Sequence, residues 1–177
     1  MSRWLTWPET HNLLLLVLFT ATLMAGFIFF FQLLNRSLAP YDIVAFELAW
    51  TPARAGQMMS AWAEAGNATA RQSLWIDFAF MPVYALSFAG LTLLAGRATS
   101  GRMQMAGLWL TLAPFAAWAL DAIENLSLLN TLDNATNPSA SVLTLAGAAA
   151  TIKFLLLLVC MLYWLSTLVY RVQRRVR

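Results

Sequence analysis

Four stretches of this chain are too long and too apolar to be hidden in the core of a small soluble domain. They run over residues 12–34, 73–95, 104–130 and 142–170. The hydrocarbon layer of a bilayer is crossed by about 20 mostly apolar residues in a helix rising about 1.5 Å per residue. Each stretch meets that length. Composition points the same way: 60% of the 177 residues are hydrophobic and 11% charged, against about 45–50% and about 25% in soluble domains. Within lipid, backbone polar groups must be satisfied inside their own segment, and a single helix does this. The expected fold is therefore all-α: a single transmembrane domain, residues 1–177, built as an integral membrane four-helix bundle.

The first stretch differs from a secretory signal. Its apolar run from Leu13 to Leu34 exceeds the 7–15 residues of a signal's apolar region, and Pro40 would directly follow a cut after Ser37-Leu38-Ala39. It is expected to stay as an anchor. Orientation follows from the arginines in the flanks. The tail 171–177 holds Arg171, Arg174, Arg175 and Arg177, and the 96–103 loop holds Arg97 and Arg102. The 131–141 loop holds no basic residue, and in segment 35–72 Arg36, Arg54 and Arg71 are offset by Asp42, Glu47 and Glu64. Both termini are expected in the cytoplasm of a bacterial cell, with 36–71 outside the inner membrane. Trp4, Trp7, Trp75 and Tyr170 fall near helix ends, where an aromatic belt would lie.

The 36–71 segment has a pattern of its own. Thr51-Pro52 reads as a helix cap followed by proline at the first helical position, and Gly66 reads as the stop. Ala55, Met58, Met59 and Trp62 recur at helical spacing between them. An amphipathic helix over 52–65 is expected, with a shorter one at 41–49. It would pack as a cap on the bundle, cover a pocket, or offer a docking face. The Asn67-Ala-Thr69 and Asn134-Ala-Thr136 triplets match a glycosylation pattern but read as turn residues.

Several chemistries are excluded by counting. One cysteine, Cys160, allows no internal disulfide and no CxxC redox pair. One histidine, His11, leaves no bis-histidine haem and no His/Cys metal cluster. No cofactor, no metal and no nucleic-acid partner is expected; membrane lipid is.

The few ionisable groups inside the apolar stretches carry most of the functional information. Asp77 lies one turn into the second stretch, Asp121, Glu124 and Asn125 in the later half of the third, and Lys153 well inside the fourth. A charge near the bilayer centre costs about 2.5–3.5 kcal/mol on the lenient insertion scale, so such groups turn inward and require partners. Lys153 sits about 10–12 residues into its stretch and Asp121 about nine from the end of its own, roughly 15–18 Å and 14 Å along the axes. Their depths match. Pro114, Trp118, Asp121 and Asn125 form one stripe, with Glu124 beside it; Asp77, Tyr84 and Ser87 share another. Pro82 and Pro114 each free a backbone carbonyl, which can admit water or a ligand group. Ala21/Ala25, Thr22/Gly26 and the run Ala146 to Ala150 offer small surfaces for close packing. Three carboxyls facing one lysine leave a double negative charge if all ionise. Protonation, a bound cation, or Arg54 or Arg71 reaching in would relieve it.

The stretch from Ala70 to Ala85 (ARQSLWIDFAFMPVYA), the string Asp121-Ala-Ile-Glu-Asn125 and the upstream Phe46-Glu47-Leu48-Ala49 together resemble a set of uncharacterised small bacterial multi-pass membrane proteins. The resemblance covers residues 40–130. It implies four helices in the inner membrane and assigns no reaction. The Asp-x-x-Glu-Asn string is also similar to the intramembrane acid/Asn sets of sterol-isomerase-like four-helix proteins. Their paired His and Glu pattern is absent here, and their activity does not follow.

Three functions remain. In the first, Asp77, Tyr84, Asp121, Glu124, Asn125 and Lys153 form an outward-facing polar site for a lipid-like or cationic ligand. In the second, the chain is a non-enzymatic accessory or immunity-type subunit that meets a protein partner through Glu47, Arg54, Trp62 and Arg71 of its outer loop. In the third, it is a membrane enzyme using Asp121 and Glu124 as acid and base on a lipid or isoprenoid substrate. Proton movement along the carboxylates is the weakest variant, because the inner half offers no titratable relay.

Overall fold

The computed structural model describes residues 7–176 of the chain. Expectations resting on Trp4, on Arg177 and on the side chains of Arg174 and Arg175 fall outside the described residues. All regular structure among them is helical: α1 (Thr10–Arg36), α2 (Ile43–Glu47), α3 (Pro52–Arg97), α4 (Arg102–Leu110), α5 (Ala113–Asp133) and α6 (Ala140–Val176). Four runs, Thr10–Arg36, Pro52–Arg97, Arg102–Asp133 and Ala140–Gln173, are long and apolar enough to cross a membrane. The protein is a multi-pass membrane protein by that criterion.

The chain divides into two compact units. One comprises Met1–Met24, Val83–Ala117 and Phe154–Arg177; the other comprises Ala25–Pro82 and Trp118–Lys153. Their charges differ in sign. The first carries seven arginines against one acid, Glu9, whereas the second carries seven acids against Arg36, Arg54, Arg71 and Lys153. They are called here the basic and the acidic unit.

In the basic unit, polar side chains tie helices together. Ser87 Oγ donates to Thr20 Oγ1 at 2.7 Å, and Trp164 Nε1 donates to Thr92 Oγ1 at 2.9 Å. Tyr163 Oη donates to the Met103 carbonyl at 2.9 Å. The expected continuous helix over 104–130 is instead two helices, α4 and α5, separated at Thr111 and Leu112. Pro114 explains the break, since its ring clashes with the carbonyl four residues earlier and it has no N–H to donate. That carbonyl, on Leu110, accepts from the Cys160 thiol at 3.8 Å. The freed acceptor is thus taken by the protein itself rather than left for a ligand.

The acidic unit is organised by the 36–71 segment. Asp42 caps α2 by accepting from the Ala45 N–H at 2.7 Å, and Thr51 caps α3 by accepting from the Arg54 N–H at 3.3 Å. Met58, Met59 and Trp62 are buried against Leu38, Phe46, Leu74, Leu128 and Leu143. Trp62 Nε1 donates to the Leu38 carbonyl at 2.6 Å, and its ring meets Phe46 edge-on at 5.2 Å. The expected stop at Gly66 is not there. The helix breaks at Ala63 (φ 52, ψ −162) and resumes at once toward the apolar stretch. Gly66 has a different reason: a Cβ on it would lie 2.6 Å from Cβ of Trp62, so the resumed helix folds back too closely for any side chain. Asn67, expected in a turn, is helical, and its Nδ2 donates to the Met59 carbonyl across the break at 3.0 Å. On α6, the small run places Gly147 against the Trp50 indole, where a Cβ would come within 2.7 Å.

Overpacking a tight contact typically costs about 1–3 kcal/mol, whereas replacing glycine by alanine in an open helix position gains about 0.5–1 kcal/mol. Gly66→Ala should therefore lower the unfolding temperature in detergent. Gly26→Ala, whose added Cβ meets nothing within 4 Å, should leave it unchanged or raise it.

Candidate functional site

The polar centre of the acidic unit is assembled around Lys153, which α6 carries three residues after the small run Ala146 to Ala150. The ammonium is 5% exposed and is met from three sides. Its Nζ donates to Asp121 Oδ1 at 2.7 Å. Glu124 Oε2 lies 2.7 Å from the same nitrogen, and Glu47 Oε2 lies at 3.5 Å. Asp121 and Glu124 sit three residues apart on α5, which puts both on the face toward α6. Glu47 arrives from the last residue of α2, carried inward because Phe46 beside it is wholly buried under Trp62.

A second pair extends the centre. Asn125 Nδ2 donates to Asp77 Oδ2 at 2.9 Å and to the Leu74 carbonyl at 3.1 Å. Two acceptors on that side fix the amide with its nitrogen toward them. Asn125 Oδ1 therefore points the other way, buried and without a donor.

Acceptors outnumber donors here. Glu124 is 0% exposed, and beyond the Lys153 ion pair at 2.7 Å neither of its oxygens has a hydrogen-bond partner. Glu47 Oε2 is likewise without a hydrogen bond. Glu47 and Glu124 are within hydrogen-bonding reach of each other, and a bond between two carboxyls requires a proton on one. Burial pushes the Glu47 carboxyl above its ordinary range; the Lys153 ammonium opposes this, and the Asp121 charge adds to it. Chemically, the arrangement can hold a proton between two carboxyls or receive a donor-rich group. No cluster of three metal-ligating side chains occurs among the described residues.

Of the residues singled out in the sequence, Asp77, Asp121, Glu124, Asn125 and Lys153 come together. Tyr84 is buried and belongs to the basic unit. Trp118, placed on the Asp121 stripe, is 37% exposed. The arginines expected to reach inward stay out: Arg71 pairs with Asp133 at 2.7 Å, and Arg54 is exposed. Trp62 is a buried anchor of the cap. Glu47 is the residue that sequence reasoning assigned to the loop surface and the fold brings to Lys153. Its signal was available: an acid between Phe46 and Leu48, with no basic residue within a helical turn.

Comparison with protein-family models, with curated proteins and with solved structures gives no match for this chain.

Removing one member of a buried ion pair leaves its partner uncompensated, at a typical cost of about 3–5 kcal/mol. Lys153→Met alone should be more destabilised than Lys153→Met combined with Asp121→Asn. Thermal unfolding in detergent of both singles and the double gives the coupling; simple additivity would mean that the pair at 2.7 Å contributes nothing.

Proposed function

We propose that the chain is a membrane-embedded four-helix bundle of the bacterial inner membrane, whose acidic unit binds the cationic head of a lipid-like molecule. Both termini lie in the cytoplasm in this reading, and residues 36–71 lie outside. What supports the orientation is the segregation of charge, with seven arginines and one acid in the basic unit, since cytoplasmic flanks collect Arg and Lys.

What carries the binding reading is the surplus of buried acceptors. Three carboxyls, on Asp121, Glu124 and Glu47, share the one Lys153 ammonium, and the buried Asn125 Oδ1 has no donor, where an unmatched buried acceptor costs about 1–3 kcal/mol. An ammonium with several N–H donors matches that surplus in both charge and hydrogen bonding. Asp77, partly exposed and held by Asn125, marks the side from which such a head would approach. The α2 cap, through Glu47, closes over it.

A second reading is favoured by a different observation. Val44, Leu48 and Trp50 are 42%, 36% and 40% exposed in and just after α2. That apolar patch suits a protein partner, and an accessory subunit would use it.

Binding is tested with purified protein and single-chain amphiphiles of equal length, one bearing a primary ammonium and one a hydroxyl. The ammonium form should raise the unfolding temperature, and Glu124→Gln should lose that rise; equal shifts from the two heads, or an unchanged shift in Glu124→Gln, would overturn the reading. Orientation is tested in a Cys160→Ser background. An impermeant thiol reagent should label Ser60→Cys and not Ser100→Cys in spheroplasts, and the reverse pattern would invert the topology.

A further inference from the structure

A separate feature of the basic unit has the opposite chemistry. A groove of about 450 Å³ runs between the end of α3 and the later part of α6, walled by Leu91, Leu94, Ala95, Met161, Leu165 and Leu168. Its lining is apolar but for Thr167 and Arg171, and Thr167 Oγ1 is already used on the Trp164 carbonyl at 2.7 Å. The groove exists because α3 presents small side chains there: Ala95 and Ala98 line it opposite the bulkier Trp164 and Leu168. Trp164 is held back by its bond to Thr92 and its contact with Phe88 at 4.7 Å. It cannot swing in to fill the space without losing both.

Arg171 is exposed, and no ion pair among the described residues involves it. Glu9 is the unit's one acid against seven arginines. Arg97, in the last turn of α3, donates one N–H to the Pro8 carbonyl at 2.8 Å and keeps two further buried donors without acceptors. The unit as a whole is short of negative charge. An apolar slot ending at an unpaired guanidinium, within a basic unit, has the shape and sign of an acyl chain attached to an anionic phosphate head.

We propose that this groove is a binding site for an anionic phospholipid, with one acyl chain between α3 and α6 and its phosphate on Arg171. The site is distinct from the Lys153 centre and does not depend on it. Guanidinium forms paired hydrogen bonds to phosphate oxygens, and basic pockets between membrane helices recruit anionic heads in this way. A zwitterionic lipid offers the same chain but adds a positive charge beside Arg171.

Native mass spectrometry of the full chain, after delipidation and re-addition of phosphatidylglycerol and phosphatidylcholine with identical chains, reads the preference. Phosphatidylglycerol should be retained over phosphatidylcholine. Arg171→Gln should reduce that preference by about fivefold, the effect of one arginine near a charged surface. Ala95→Phe fills the slot without changing charge and should abolish retention of either lipid; Ala98→Leu serves the same purpose with a smaller insult to the fold. Equal retention of the two lipids in the parent chain would overturn the proposal. So would unchanged retention in both groove-filling variants, which would assign the lipid to the arginine-rich tail. A dimer that becomes monomeric in those variants would assign the groove to a second copy and overturn it as well.

Discussion

A lysine that is 5% exposed cannot hold its charge alone, and the acidic unit is arranged around that constraint. Separating the ammonium from water is repaid only by close partners of opposite sign. α5 supplies two from consecutive positions of one face, at 2.7 Å each. A third, Glu47, comes from the short helix α2. Five residues are far below the length at which a helix persists in isolation. α2 is therefore a helix only because it is held from outside, by the Asp42 cap, by Phe46 under Trp62 and by Glu47 near Lys153. Order in the 36–71 segment and charge balance at Lys153 support each other.

Tight packing carries that coupling to the rest of the cap. Ala63 holds a left-handed φ of 52, a conformation that costs a non-glycine residue of order 1–3 kcal/mol. Its surroundings enforce it. Trp62 is pinned by the Leu38 carbonyl before the break, and Gly66 and Asn67 fold back on Trp62 and Met59 after it. The cap consequently runs through a kink at Ala63 into its own spanning helix, with contacts on both sides of the break holding it.

Much of this was legible from residues alone. Apolar length gave the four long helices, and the rise per residue gave the matching depth of Lys153 and Asp121. Asn125 and Asp77 followed from their faces. What escaped the sequence was set by contacts distant along the chain. Gly66 reads as a stop by local rules, and its true reason is the Trp62 side chain one turn away across a break. Pro114 signals a freed carbonyl, but that Cys160 satisfies it depends on how α6 lies in the basic unit. Arg71 has no local cue directing it to Asp133 rather than to the buried carboxyls. Loop position carries no cue that Glu47 reaches Lys153, because the wholly buried Phe46 beside it draws it inward.

The two units also differ in how completely their polar groups are used, and this bears on where binding occurs. In the basic unit the helix-to-helix bonds of Ser87, Trp164 and Tyr163 are matched pairs that leave neither member short. Such pairs fix register and offer a ligand nothing. The unmatched groups are distributed by sign: buried donors on Arg97 in the basic unit, buried acceptors on Glu47, Glu124 and Asn125 in the acidic one. A random scatter of imperfect packing would mix donors and acceptors in both. Separation by sign instead follows the net charge of each unit, so that each would be completed by a counterpart of opposite character. In the acidic unit the counterpart must reach groups that are almost wholly buried, past Asp77 and under the α2 cap. In the basic unit it can slide along an open groove. Binding at the Lys153 centre should therefore be slow and coupled to cap order, while lipid exchange at Arg171 should be rapid, and the two are separable in kinetics as well as in chemistry.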